Sequence, residues 1–248
     1  MFKKMYKNLM SLALVVLALV LVTFFALYNA QMPEQERFSV VTKEKQEVKE
    51  ATISELEKDF YANIYLEGKG NDKSKNFITV LSDYACPWSN KFYNETIKPF
   101  LSQNELKDFF VQYDFLSLGE QSPTLIASEA AYCANDQGKF WEMHDKMFGL
   151  SSSGQDIETA FAKENIYKIA KEIDLTEDSF KECIENKKYR SLIIKRASHY
   201  LEVFERLGVP STFVNGKPIT LFIDGSEQMV GAIDLKTFTD KINEMKSR

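Results

Sequence analysis

Histidine and cysteine are scarce in this sequence, which holds two histidines and three cysteines among 248 residues. Neither histidine has a second histidine or a cysteine at the spacing of metal ligands, so we expect no metal site and no cofactor. His144, within "FWEMHDKMF", is interpreted as a packing or hydrogen-bonding residue. The formal net charge of −5 shows no excess of basic residues, which argues against nucleic-acid binding. A glycine-rich phosphate loop and an internal repeat are also missing.

One apolar run, from Leu9 to Tyr28, is long enough to cross a membrane, because 20 residues in a helix span about 30 Å. Three lysines precede the run, which places the N-terminus in the cytoplasm and the rest of the chain outside it. A cleaved signal peptide is the alternative, but Tyr28-Asn29-Ala30 puts a bulky residue where cleavage requires a small one. We therefore expect residues 1–30 to be a signal-anchor in the cell membrane.

An extracytoplasmic location changes how the cysteines are interpreted, because disulfides form and persist in oxidising compartments. Cys86, Cys133 and Cys183 are odd in number, which suggests one disulfide and one free thiol.

The rest of the chain has ordinary globular composition, 44% hydrophobic and 27% charged, which suggests one domain with room for an insertion. Residues 31–64 are predicted to be a polar tether and a short helix. An apolar run at Phe77–Leu81 and the segment "DFFVQYDFL" (108–116) predict two strands, joined by a helix that must stop or kink near Pro99. Residues 123–207 then follow helical patterns throughout.

The C-terminal part returns to strands. "STFVNGKPI" predicts a strand with a hairpin turn at Asn215-Gly216, and a second strand is predicted around Phe222 to Val230. A final helix is predicted from Leu235 to Met245.

The motif "SDYACPWSNKF" (82–92) places Cys86 between a buried strand and a helix. Unpaired N–H groups and the positive end of the helix dipole stabilise a thiolate at such a position. Pro87 suits the first helical turn, where a missing N–H costs nothing. The alternative is a buried, inert cysteine.

The order of strand, cysteine helix, strand, helical block, hairpin and helix resembles the DsbA-like family of extracytoplasmic thiol-disulfide oxidoreductases, a thioredoxin-like α/β fold with an inserted helical domain. Three segments carry the resemblance, which covers roughly residues 65–245: "SDYACPW", "AAYCANDQGKFWEMHDKMF" and "GVPSTFVNGKPI". It implies a first half of the thioredoxin fold at 65–122, a helical insertion at 123–207 and a second half at 208–248.

The resemblance also implies roles for individual residues. Cys86 would be the nucleophile, and the active-site motif would continue through Pro87, Trp88 and Ser89. Val209 and Pro210 would form a cis-proline loop whose backbone binds substrate peptide. Some relatives carry a structural disulfide at positions similar to Cys133 and Cys183. Two free cysteines, or one that resolves a Cys86 adduct, remain as alternatives.

Three positions depart from the family pattern. Ser89 stands where the second, resolving cysteine is expected, and Val80 stands where a buried acid relays protons to that thiol. Trp88 replaces a histidine that many relatives carry, so the thiolate loses that support. Because the acid and the thiol are lost together, we interpret Ser89 as natural and not as an engineered trap.

Two functions follow from these departures. The first is a membrane-anchored monothiol oxidoreductase of the isomerase or reductase type, acting on protein or peptide thiols and disulfides with a membrane redox partner. The second is a non-catalytic module that binds peptides or a partner through the same groove.

Overall fold

The computed structural model describes residues 68–117, 122–204 and 207–246, without the side chains of Asn104 and Glu105. These residues belong to one compact unit. The predicted signal-anchor (1–30) and the tether with its helix (31–64) lie outside them. In the part of the chain that is described, no helix is both long enough and apolar enough to cross a membrane.

The central sheet has five strands in the order β1-β3-β2-β4-β5. Strands β2 and β3 are parallel, and the other neighbours are antiparallel. A parallel pair needs a crossover connection, which the cysteine helix supplies here. The strands are β1 (Lys69–Gly70), β2 (Phe77–Ser82), β3 (Phe110–Phe115), β4 (Ser211–Val214) and β5 (Lys217–Pro218).

The predicted helical block between β3 and β4 contains six helices, and one more helix ends the described chain. The block comprises α2 (Pro123–Asn135), α3 (Phe140–Ser151), α4 (Ile157–Ala160), α5 (Lys163–Glu172), α6 (Glu177–Glu185) and α7 (Arg190–Val203). The final helix, α8 (Leu235–Met245), has the predicted bounds and is capped at its N-terminus by Asp234, whose side chain accepts the N–H of Thr237.

The cysteine helix starts as α1 (Pro87–Phe92) and continues as a π-helical segment, Tyr93–Ile97, into a last α-helical turn, Lys98–Phe100. Proline inside a helix removes one N–H donor and crowds the preceding turn. The wider π segment ends at Ile97, two residues before Pro99, and the helix ends at Phe100. The predicted disturbance near Pro99 is therefore present, but it precedes the proline.

The predicted strand from Phe222 to Val230 is wrong, because this region forms a separate two-stranded hairpin of β6 (Thr220–Ile223) and β7 (Ser226–Met229). Asp224 and Gly225 make its turn, with φ values of 50° and 83°. An Asp-Gly pair favours these left-handed values and hence a tight hairpin turn. The first hairpin turn, at Asn215-Gly216, has the same geometry and matches the prediction.

Two hydrophobic clusters cover the two faces of the sheet, since side chains alternate along each strand. The larger cluster contains Ile78 and Val80 of β2 together with the helical insertion and Phe238 of α8. The smaller one contains Leu81 and Phe213, covered by α7.

A buried ion pair attaches α7 to the sheet. Asp114 of β3 accepts hydrogen bonds from Arg196 at 2.6 Å, Tyr200 at 2.9 Å and Tyr132 at 3.2 Å. Burial raises the pKa of Asp114, and the Arg196 guanidinium and the two hydroxyls oppose that effect. The ion pair and the two tyrosine hydroxyls thus hold α7 and α2 against β3.

A disulfide joins Cys133 of α2 to Cys183 of α6, with 5.9 Å between their Cα atoms. This is the pairing that the family resemblance implies. It closes a loop around helices α3, α4 and α5 of the insertion.

Candidate active site

Cys86 lies at the N-terminal end of α1, directly after the turn that leaves β2. Its side chain is partly exposed, and it is the free cysteine among the described residues. The carbonyl group of Cys86 accepts the N–H of Asn90 at 3.1 Å, and no side chain caps the helix. The thiol is thus accessible from solvent beside uncapped backbone donors, as the motif predicts.

The Val209–Pro210 peptide bond is cis and lies next to Cys86. The Cys86 thiol donates a hydrogen bond to the carbonyl oxygen of Val209, with 3.4 Å between the two atoms. The fold thereby brings together residues that are 123 positions apart in the sequence. Trp88 completes the exposed part of the site, with 62% of its surface accessible.

Ser89 points inward and is 1% exposed. Its hydroxyl accepts the N–H of Asp83 at 3.4 Å, so an oxygen lies where the resolving sulfur of a dithiol motif would lie. A hydroxyl forms no disulfide, and Cys133 and Cys183 are already joined to each other. Within the described residues, Cys86 therefore has no thiol partner.

Thr212 is a neighbour of Val80 that the sequence did not reveal. The two residues are directly opposite in the antiparallel β2–β4 pair, so their side chains share one face about 5 Å apart. Thr212 is buried, and its hydroxyl has no hydrogen-bond partner among the described residues. The position where relatives carry a buried acid is thus occupied by the apolar side chain of Val80, next to the unpaired hydroxyl of Thr212.

Asp83 orders the turn that presents Cys86. Its side chain accepts the N–H of Ala85 at 2.7 Å and the hydroxyl of Thr124 at 3.2 Å, and its carbonyl accepts the N–H of Cys86 at 3.1 Å. Burial raises the pKa of Asp83, and the first two hydrogen bonds oppose that rise. No role is predicted for Asp83 from the sequence, although an aspartate that bonds the backbone two residues on is a known turn signal.

Tyr84 connects the motif to the helical insertion. Its hydroxyl and the Nδ1 atom of His144 are hydrogen-bonded at 2.7 Å, and both side chains are fully buried. Its ring also stacks on Phe115, with 4.8 Å between the ring centroids. Burial holds the pKa of His144 well below 6.5, and the positive charge of Lys98 lowers it further. His144 is therefore a neutral hydrogen-bonding residue, consistent with its interpretation from sequence.

We expect stability to fall more steeply with acid in the unmodified protein than in a His144→Gln variant. The unfolded chain binds a proton on this imidazole near pH 6.5, whereas the folded protein keeps it neutral until well below that pH. The free energy of unfolding should therefore lose up to about 1.4 kcal/mol per pH unit below 6.5 from this group. Urea denaturation at about pH 7.5, 6.5 and 5.5 measures the slope.

His199→Gln is the matched control, because the side chain of His199 is 33% exposed and contacts Glu202 on a helix surface. This variant should keep the steep slope. If His144→Gln keeps it as well, the buried imidazole is not its cause. Comparing slopes avoids the separate loss of stability that follows when Tyr84 loses its partner.

Among the residues described, no group of three or more histidine, cysteine, aspartate or glutamate side chains could hold a metal ion.

Sequence comparison relates the chain to known proteins. A family model described as thioredoxin matches residues 68–235. A Rickettsia conorii protein, provisionally named a protein-disulfide oxidoreductase, is 23% identical over 147 residues. That match covers 59% of this chain and 52% of the relative, so the chain spans about half the relative's length.

Solved structures agree on the fold. The thiol-disulfide exchange protein alpha-DsbA2 from Wolbachia pipientis superimposes with a TM-score of 0.59 at 22% identity, covering 82% of this chain and 98% of its own. Oxidised BdbD from Bacillus subtilis gives a TM-score of 0.55 at 17% identity, covering 71% of this chain and 90% of its own. With identities below 25%, these superpositions show a shared fold, including the helical insertion, and nothing further.

Proposed function

This chain belongs to the thioredoxin family, and from that premise we propose that it is a DsbA-like thiol-disulfide oxidoreductase that acts through Cys86 alone. One observation carries the proposal: a free, partly exposed thiol at a helix start lies 3.4 Å from the carbonyl oxygen that precedes a cis-proline. The named relatives in the comparisons are oxidoreductases and thiol-disulfide exchange proteins, which supports the same chemistry.

The reaction begins when the Cys86 thiolate attacks one sulfur of a client disulfide. A Cys86–client disulfide forms, and the second client sulfur leaves as a thiolate. A thiolate from the client or from a small thiol then attacks the client sulfur of that adduct and releases Cys86. Each step exchanges one S–S bond for another, so the protein is unchanged at the end.

The buried hydroxyl of Ser89 sets the direction of this chemistry. A dithiol protein can donate its own disulfide to a client, whereas Cys86 has no described partner thiol with which to store one. Isomerisation or reduction of existing disulfides is therefore favoured over net oxidation.

Client recognition uses the backbone beside the cis-proline. An extended peptide that passes Val209 can add to the chain there as a further strand. The exposed indole of Trp88 offers an apolar surface beside the thiol, and Lys91 lies 5.7 Å from its ring. Val209, Pro210 and Trp88 together define the client-binding groove in this proposal.

The apolar run from Leu9 to Tyr28 supports anchoring to the cell membrane, with the oxidoreductase domain outside the cytoplasm. A membrane-held protein would exchange electrons with a thiol donor in the same membrane. Both the anchor and this redox partner are parts of the proposal.

Trapping adducts in native membranes tests the function. Cells that express the protein are quenched in acid, and free thiols are alkylated so that exchange cannot resume. The cells are then separated into soluble and carbonate-washed membrane fractions and analysed without reductant. We expect membrane-bound, reductant-sensitive adducts that disappear in Cys86→Ala and persist in a Ser89→Ala control. An unmodified Cys86 under all conditions would instead favour the non-catalytic binding module, and a soluble mature protein starting near Gln31 would refute the anchor.

A further inference from the structure

The β6–β7 hairpin projects from the sheet at the end where Cys86 lies. The N–H of Ile219 donates a hydrogen bond to the carbonyl oxygen of Thr212 at 2.8 Å, and Thr212 is only two residues after Pro210. The return strand ends beside the same loop, because a Cβ atom at Gly231 would lie 3.2 Å from the Pro210 carbonyl oxygen. Met229 at the hairpin base also packs in the cluster that includes Val209. The base of the hairpin is thus continuous with the cis-proline loop.

The outer half of the hairpin exposes two large apolar side chains. Phe222 is 75% accessible and Ile223 is 39% accessible, and consecutive residues on a strand face opposite sides. The large exposed apolar residues among those described are these two, Trp88 beside Cys86, and Leu201 on α7. Trp88 follows Cys86 by two residues, and the hairpin that carries Phe222 and Ile223 has its base beside the cis-proline loop. Large exposed apolar residues near a reactive group are typical of a binding surface.

Neither strand of the hairpin pairs with a third strand within the described residues. Open strand edges bind extended polypeptide through main-chain hydrogen bonds, while side chains beside the edge supply selectivity. The tight Asp224-Gly225 turn keeps the two strands together, so the edge is preformed.

The charge of the hairpin indicates which polypeptide fits. Residues 220–229 contain Asp224 and Glu227 and no lysine, arginine or histidine. This acidic surface favours a cationic occupant and repels an anionic membrane surface. A client segment with apolar and basic side chains matches both features.

We propose that the β6–β7 hairpin is a docking arm for extended client segments that combine apolar and basic side chains. This inference rests on the proposed function and names its client class. The client adds along the hairpin edge, contacts Phe222, and is thereby held with its disulfide near Cys86.

Two measurements on the full-length chain separate docking from chemistry. The first is binding of a fluorescent, cysteine-free peptide rich in leucine and lysine to the Cys86→Ala protein. We expect Phe222→Ser to weaken this binding about tenfold, because an aromatic contact is removed, and Phe222→Leu to retain most of it. Lys236→Ser is the control, since that side chain is 85% exposed on α8 and lies outside the hairpin.

The second measurement is the rate at which Cys86 forms an adduct with a disulfide version of the same peptide or with glutathione disulfide. Phe222→Ser should slow the peptide reaction about tenfold and leave the glutathione reaction within about twofold. Replacing lysine by glutamate in the peptide should weaken binding about threefold or more, and Asp224→Asn with Glu227→Gln should remove that preference.

Unchanged peptide binding in Phe222→Ser would overturn the docking arm, whatever the chemistry. Loss of binding to anionic lipid vesicles in that variant, with peptide binding unchanged, would assign the hairpin to the membrane instead. Hairpin-dependent peptide binding without any adduct at Cys86 would support the docking arm and refute the proposed oxidoreductase function.

Discussion

Ser89→Cys is expected to give a protein that releases a bound peptide from Cys86 by internal attack, but slowly. The introduced thiol would take the place of a hydroxyl that is 1% exposed. Burial disfavours a thiolate, and Val80 offers no base to remove the proton. Adding Val80→Glu should accelerate release by about 10²- to 10⁴-fold, the range that a positioned base supplies.

Thr212 affects the cost of introducing this acid. A glutamate at position 80 would share a sheet face with Thr212, whose unpaired hydroxyl can donate a hydrogen bond to the new carboxylate. That donor offsets part of the cost of burying the charge, although some loss of stability should remain.

Val80→Gln in the Ser89→Cys background is the matched control, because glutamine has the size of glutamate but is not a base. Release of a peptide from Cys86 is followed by mass spectrometry after an acid quench. If the glutamine and glutamate variants release peptide equally fast, the missing acid has no bearing on the missing thiol. The argument for a natural monothiol protein would then depend on Ser89 alone.

Removing the Cys133–Cys183 disulfide should produce the largest loss of stability. A cross-link that closes a loop of 50 residues restricts the unfolded chain, and the chain-entropy model gives about 4 kcal/mol for that length. For a domain of this size, the midpoint of thermal unfolding should fall by roughly 10 °C. Urea denaturation of the Cys133→Ala, Cys183→Ala double variant measures the difference.

Cys86→Ala is the control, since it removes a partly exposed thiol that takes no part in the disulfide, and it should change stability by less than about 0.5 kcal/mol. Peptide mapping without reductant should recover Cys133 linked to Cys183. Recovery of Cys86 linked to either residue would contradict this pairing and would restore an internal resolving thiol. A stability loss below about 1 kcal/mol would mean that the helices inside the loop stay ordered in the unfolded state.

The parts of the fold that follow from local chemistry were predictable. The central strand β2 follows from an apolar run, the Asn215-Gly216 turn from two residues that tolerate left-handed φ values, and α8 from its periodicity and capping aspartate. The cysteine motif likewise has a local signal, because the strand, the cysteine and the proline are adjacent in sequence.

Features that depend on a distant partner were not predicted. Thr212 acquires its significance only because the β2–β4 register sets it opposite Val80. Strand β1, two residues long, exists because Lys69 and Gly70 pair with the edge of β3. The hairpin at 220–229 is different, because its Asp224-Gly225 pair is a local turn signal that already argues against a single strand from Phe222 to Val230.

The central claim is that Cys86 works without a resolving thiol in the protein. Its most direct test is whether release of a peptide from its disulfide with Cys86 depends on added thiol. The protein is loaded with a disulfide peptide, excess peptide is removed, and glutathione is added over a range of concentrations. We predict a release rate that rises in proportion to the glutathione concentration and approaches zero without it. The loaded peptide has a single cysteine, supplied as a mixed disulfide with glutathione, so the adduct carries no client thiol of its own. Release that continues at the same rate without glutathione would then reveal an internal resolving thiol and contradict the account.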